Sequence, residues 1–278
     1  MLDKIKMLTI RALMNDRKLM YGLALKGGNA LQLVYDITDR ASMDIDYSMK
    51  GDFTEEEFLK LQLKIEVLLN DEFNKEGLIA FDAIFIEKPK SSTVLEWKGY
   101  NLKFKITTND LWFEDDLDKT RRNAIKIAGQ STKFSVDISS YEYIDNAIKV
   151  EREGVVMLVY TPEMIVIEKL RALCQSIPEY KNIVATASPK GRARDFYDIW
   201  NIHGQHGFDI SAEKNTQIIK EVFAAKRVPL EFLKLIPEYK DLQKENWPSV
   251  ADTLSSDDKG FDFYYDYTLR LIKQIKIL

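Results

Sequence analysis

Apolar residues recur near the helical period over residues 2–15 and predict a first helix. Residues 21–26 read as a short buried strand. Gly27-Gly28-Asn29 follows at once, and then an apolar helical stretch over 30–35. Residues 42–49 alternate in the period of two expected of a strand, with Met43, Ile45 and Tyr47 on one face and Ser42, Asp44, Asp46 and Ser48 on the other. Thr54 with Glu57 three residues on is a capping box that opens a long helix. Further strands are predicted over 79–87, 97–107 and 132–138, with a helix over 115–128 between the last two. A strand over 155–160 closes this part.

From there the pattern turns helical. Thr161-Pro162-Glu163 is a strong helix start: a threonine cap, a proline in the first turn, and an acid facing the positive end. That helix runs to about residue 176. A polar stretch over 178–191 leads into a helix carrying Arg194-Asp195-Phe196-Tyr197-Asp198, and helices over about 211–226, 229–244 and 261–277 follow. No internal repeat interrupts this order. Strands first and helices after predict an α+β domain with a mixed sheet over 1–160 and a helical bundle domain over 161–278.

Composition narrows the classes. With 278 residues, 45% of them hydrophobic, the chain can bury two cores. The net charge of -4 excludes an overall basic field, so any RNA-binding surface is a local patch. Two such groups stand out: Lys119, Arg121, Arg122 and Lys126, and then Lys190, Arg192 and Arg194. One cysteine, Cys174, in an apolar helical stretch, fits an inert buried thiol in a reducing cytoplasm. One cysteine and two histidines leave little for a structural zinc site, and His203 and His206 read as ordinary helix residues. No stretch has the length of a membrane span, so a soluble protein with no membrane partner is expected.

The chemistry gathers around Asp44-Ile45-Asp46. Two residues apart on a strand, both carboxylates project from one face, where they repel unless a cation lies between them. Magnesium or manganese, held by one or two carboxylates and by substrate phosphates, meets that need. A solvated strand edge also produces the pattern. Gly27-Gly28 lies between a strand and a helix, where backbone amides can approach a phosphate, although a plain turn uses the same residues. A P-loop is excluded because no Lys-Ser or Lys-Thr follows the glycines, and a G-x-G-x-x-G fingerprint is missing as well.

Taken together, Gly27-Gly28-Asn29-Ala30-Leu31 and Arg40-Ala41-Ser42-Met43-Asp44-Ile45-Asp46 resemble the signature of polymerase-β-type nucleotidyltransferases. More narrowly, they resemble that of the AbiEii/AbiGii toxin-type nucleotidyltransferases. Glu168-Lys169-Leu170-Arg171-Ala172 and Arg194-Asp195-Phe196-Tyr197-Asp198 are similar to two later motifs of that family, so the resemblance covers about residues 22–200.

The resemblance implies a magnesium- or manganese-dependent transfer of a nucleoside monophosphate from a nucleoside triphosphate to an acceptor hydroxyl. The acceptor it implies is RNA, with transfer RNA acceptor ends as the example, and the setting is a type IV-like toxin–antitoxin or abortive-infection pair with a cognate antitoxin. Asp44, Asp46, Lys169 and Asp195 are then catalytic, and Gly27, Gly28, Asn29, Ser42 and Lys169 contact the nucleotide. Asp44 and Asp46 hold the metal. Asp137 is the first candidate for a third ligand, with Asp82, also mid-strand, beside it. Lys169 and Asp195 also fit plain surface charges, and Arg194 and Asp198, four apart on a helix, also fit an ion pair. Two other functions remain open: transfer to a protein hydroxyl, and nucleotide binding without turnover. The motifs are expected to converge on one cleft.

Overall fold

A computed structural model describes residues 1–37, 44–89, 94–127, 131–254 and 258–276. The chain divides into two units, the first holding Met1–Val34, Ser42–Ile144 and Ile148–Val159, and the second the rest.

The first unit is built on a seven-stranded mixed sheet. Its strands are β1 (Leu23–Lys26), β2 (Ile45–Met49), β3 (Leu78–Glu87), β4 (Gly99–Thr108), β5 (Phe134–Ser139), β6 (Ile148–Arg152) and β7 (Val155–Val159). They lie in the order β3-β4-β5-β2-β1-β7-β6. The pairs β2–β5 and β1–β7 are parallel and the others antiparallel. Helices α1 (Leu2–Met14), α2 (Arg17–Gly22), α3 (Gly27–Val34), α4 (Glu55–Phe73) and α5 (Leu117–Arg122) complete it.

Alternation along the strands separates two faces. Tyr100, Leu102, Phe104 and Ile106 of β4 are buried, with Phe104 edge-on to Phe73 of α4 at 5.8 Å between ring centroids. Ile45 and Tyr47 of β2 and Val136 of β5 point to this side. The opposite face carries Asp44, Asp46, Asp137, Asn101, Lys103 and Lys105, because residues opposite each other in a ladder share a side. Helix α4 starts as the sequence predicts: Thr54 and Glu57 form the reciprocal capping box.

Three local features depart from the predicted elements. The glycines lie within the first turn of α3, and the strand before them starts only at Leu23. The helix expected over 115–128 stops at Arg122, because the Ile125 amide donates to the Ile106 carbonyl at 2.7 Å and ties that stretch to β4. Strand β6, which the sequence reading lacks, is mostly exposed, and its apolar alternation is confined to Ile148 and Val150. It forms by hairpin pairing with β7 across Glu153-Gly154, both with positive φ, 50° and 76°.

The second unit contains α6 (Pro162–Gln175), α7 (Ala193–His206), α8 (Glu213–Ala224), α9 (Lys240–Lys244), α10 (Trp247–Ala251) and α11 (Phe261–Ile272). Thr161 caps α6, accepting from the Met164 amide at 3.3 Å. Met164, Ile165, Val166, Leu170, Leu173 and Cys174 bury most of that helix, which packs on α7 and α8. Phe196 of α7 sits among Phe261 and Tyr265 of α11, ring centroids 5.4 and 5.3 Å away. The helix predicted over 229–244 is instead two short 3-10 turns and α9, since Pro237 cannot sit inside a helix without breaking its bonding. Among the described residues no helix is long and apolar enough to cross a membrane.

Candidate active site

Within the first unit, β1 ends at Lys26 and the chain turns directly into α3. Gly27 makes that turn with φ of 64°, in the region that favours glycine. A Cβ at Gly27 would lie 3.2 Å from Asp46 Oδ2, so the missing side chain is also what lets the carboxylate sit against the turn. Gly28 is half-buried beside it. Asn29 is fully buried, and its Nδ2 donates to the Asp44 backbone carbonyl. Its Oδ1 has no hydrogen-bond partner among the described residues. This buried amide bonded to backbone fastens the start of β2 to α3. Ser42, and Arg40 of the same motif, lie outside the described residues.

The ladder registers set Lys26 opposite Asp46, Asp46 opposite Asp137, and Asp137 opposite Asn101, which makes one polar row across four strands. Lys26 is almost buried, with Nζ 3.5 Å from Ser139 Oγ and 3.8 Å from Glu142. Asp137 Oδ1 accepts from Asn101 Nδ2 at 3.0 Å and from Lys88 Nζ at 3.2 Å. Asp44 is exposed at the start of β2. Partial loss of solvent and the charge of Asp137 push its pKa up, while Lys88 and Lys103 oppose them. A negative field therefore gathers here.

Among the described residues no three acidic, histidine or cysteine side chains stand close enough to hold a metal ion by themselves. Asp44 and Asp46, two hard oxygen donors on one face, are donors of the kind that would hold a magnesium ion together with substrate phosphate. Asp137 stands in their row, with one oxygen engaged by Asn101 and Lys88. Asp82, the other third-ligand candidate, is committed elsewhere, to Lys105 at 2.9 Å and Arg121 at 2.8 Å.

Within the second unit, Lys169 projects from α6 toward α7. Its Nζ donates to Asp195 Oδ1 at 3.0 Å and to Asp198 Oδ2 at 2.6 Å. Arg192 Nε donates to the other oxygen of Asp195. Burial works against the charge on Lys169, but Asp195 and Asp198 outweigh it and raise its pKa. Burial likewise opposes the charge of Asp195, yet Arg192 and Lys169 hold its carboxyl well below the usual range. Lys169, Arg192 and Asp195 are therefore all charged near neutral pH. Asp198 thus pairs with Lys169, and Arg194 turns away to Thr253 Oγ1 at 3.4 Å, so the Arg194–Asp198 ion pair that the spacing allowed is not what forms.

Lys26, Lys88, Asn101 and Lys103 belong to the first cluster, and sequence reasoning did not select them. The alternation over 97–107 places Asn101 and Lys103 on one face, but only strand register brings that face beside Asp137. Cys174 is buried, which pushes its thiol up and keeps it inert. His203 is bonded to Tyr267 Oη at 2.6 Å and the Phe208 carbonyl at 2.9 Å, as befits a structural side chain.

A family model described as the nucleotidyl transferase AbiEii toxin of type IV toxin–antitoxin systems matches residues 11–267. Among solved structures, JHP933 from Helicobacter pylori is similar at 15% identity and a TM-score of 0.49, over 98% of this chain and 89% of that one. MenT4, a nucleotidyltransferase toxin from Mycobacterium tuberculosis, is similar at 12% identity and a TM-score of 0.39, over 90% of each chain. A comparison with curated proteins finds no match.

Proposed function

Because the chain belongs to the AbiEii family of nucleotidyltransferase toxins of type IV toxin–antitoxin systems, we propose that it transfers a nucleoside monophosphate from a nucleoside triphosphate to a hydroxyl of RNA. The observation that carries the reading is the seating of Asp46 against Gly27, with Asp44 on the same strand face. A bound magnesium or manganese ion would supply charge neutralisation on the triphosphate. Asp44 and Asp46 would hold it, and backbone amides of the Gly27-Gly28 turn, at the start of α3, would approach the phosphates. The acceptor oxygen forms a bond to the α-phosphorus, the bond to the β-phosphate oxygen breaks, pyrophosphate leaves and the hydroxyl proton passes to water. The work of the protein is positioning and charge, as in phosphoryl transfer generally.

Lys169 is proposed to act in the same transfer, as a fixed cation for the nucleotide. Asp195 is a positioning residue: it is bonded to Lys169 and Arg192, and its depressed pKa suits orientation and not proton abstraction. A cognate antitoxin completes the proposed setting, and a cytoplasmic location suits it.

The test is to incubate the pure protein with magnesium, each labelled nucleoside triphosphate in turn, total RNA and total protein. Label in RNA is expected, and Asp46→Asn should abolish it. Label in protein would move the acceptor to a protein hydroxyl. Triphosphate bound with no label transferred would leave a binding module. Expression in a bacterial host should slow growth, and Asp44→Ala or Lys169→Ala should relieve it. If Lys169 and Asp46 serve one reaction, Lys169→Ala should add little to the rate loss of Asp46→Asn.

A further inference from the structure

The polar face of the sheet does not end at the carboxylates. It continues across β4 to the edge strand β3, where a cavity of about 640 Å³ opens within the first unit. Its shape follows from a bulge. Phe81 pairs with Lys105 and Ile84 with Lys103, so Asp82 and Ala83 together oppose Phe104. Asp82 takes the left-handed conformation, φ 52°, and bonds Lys105 and Arg121 of α5, fixing one wall. The bulge directs Phe81 and the exposed Ile84 to the polar face, and Trp112 lies edge-on to Phe81, 5.6 Å between ring centroids. An apolar, partly aromatic floor thus sits within a rim of cations.

The charges at the rim are not all used. Asp82 accounts for Lys105 and Arg121, and Glu66 accepts from the Ala83 amide at 3.0 Å. Lys103 and Lys133, both exposed, have ammonium groups with no hydrogen-bond or ion-pair partner among the described residues. The chain as a whole carries -4, so this local positive excess stands against the general field. Lys103 is also near enough to Asp44 for its charge to be felt there. It stands on β4, with only β5 between it and the strand of Asp44, about 10 Å at ordinary strand spacing.

We propose that this cavity is the acceptor-strand subsite: it takes one nucleotide of a single-stranded nucleic acid, the base against the half-buried Trp112, which the buried Phe81 backs, and the phosphates on Lys103 and Lys133. The assignment rests on the reading of Asp44 and Asp46 given above. The cavity lies within the size range of small-ligand sites and has room for one nucleotide. Its chemistry is the combination by which single strands are held without base-specific contacts, a stacking surface beside cations. A peptide is the poorer fit, because the bulge interrupts the edge of β3 where an added strand would pair.

The experiment uses the full chain and a fluorescein-labelled twelve-nucleotide single-stranded RNA with a free 3′ hydroxyl, read by anisotropy across a salt series. The wild type should bind. Lys103→Gln and Lys133→Gln should each weaken binding and flatten the log–log salt slope by about 0.7, the share of one phosphate contact to a single strand. Trp112→Ala should weaken it roughly 10- to 100-fold, as loss of one base stack does, with Trp112→Phe retaining most of the affinity. RNA should also quench tryptophan fluorescence in the wild type and less so in Trp112→Phe. Binding of a fluorescent nucleoside triphosphate with magnesium, measured on the Lys133→Gln and Trp112→Ala proteins, should stay as in the wild type and serves as the check on folding. If triphosphate binding is normal but RNA affinity and salt slope are unchanged in those variants, or the wild type binds no RNA, the subsite assignment is overturned. If Asp46→Asn binds the triphosphate as the wild type does, the failure lies instead in the reading of the carboxylates.

Discussion

Replacing Asp195 by alanine would leave two half-buried cations, Lys169 and Arg192, facing each other across a gap. Asp195 has a side chain 8% exposed, with Lys169 Nζ 3.0 Å from one oxygen and Arg192 on the other. At an effective dielectric near 20 a contact of that length is worth about 5 kcal/mol of gross attraction, most of it offset by desolvation. Breaking a buried pair by removing one partner costs roughly 3–5 kcal/mol, because the remaining charge stays buried. Asp198 stays on Lys169 at 2.6 Å, so the low end, about 3 kcal/mol, is expected. With a urea m-value of about 2 kcal/mol/M the midpoint should fall by about 1.5 M.

Asp195→Asn should lose less, and Lys169→Met combined with Asp195→Asn should lose less than the sum of the two. The acid side gives an independent sign. The folded pKa of Asp195 lies below its ordinary value of about 3.8, so its contribution is complete above that value and is lost as pH falls through the lower, folded one. The gap between wild type and Asp195→Asn should therefore be constant from pH 5 to 7 and close below pH 4. A midpoint for Asp195→Ala within 0.3 M of the wild type (about 0.6 kcal/mol at that slope) would refute the account of this cluster. The same magnitude warns that relief of toxicity by Asp195→Ala or Lys169→Ala confuses lost fold with lost function unless a thermal melt shows the variant folded, which is why the exposed Asp44 is the better growth variant.

Three further outcomes follow from the first unit. Gly27→Ala should cost about 1–2 kcal/mol for the left-handed backbone, and its Cβ, 3.2 Å from Asp46 Oδ2, should weaken magnesium-dependent triphosphate binding more than it lowers the melting temperature, as calorimetry and a thermal melt would show. Calorimetry on the wild type should show measurable triphosphate binding only with magnesium or manganese, and Asp46→Asn should remove most of that dependence; equal affinity with and without metal in the wild type would count against the paired carboxylates as a metal site. Hydrogen bonding from Arg121 outweighs burial and, with Lys105, holds the Asp82 carboxyl down to about 2. The stability it confers should be whole above about pH 4 and lost toward pH 2, a dependence that Asp82→Asn should lack in acid melts.

Much of this was legible along the chain because it is local. A capping box, a Thr-Pro helix start and an alternating Asp-x-Asp strand are decided within a few residues, and so Thr54, Thr161 and the shared face of Asp44 and Asp46 could be read without coordinates. The motif segments were legible too, down to the type of chemistry. What strand pairing decides was not. Residues 148–152 carry only the short alternation of Ile148 and Val150 and become β6 because a positive-φ turn folds them onto β7. The Ile125 amide leaves a predicted helix for the Ile106 carbonyl. Register alone puts Asn101 and Asp137 beside Asp46, and helix packing alone gives Lys169 to Asp195 and Asp198 in place of the four-residue pair that spacing suggested. Sequence carries periodicity and backbone propensity, which are short-ranged. The partner of a charge depends on which distant surface is packed against it, and only the tertiary structure decides that.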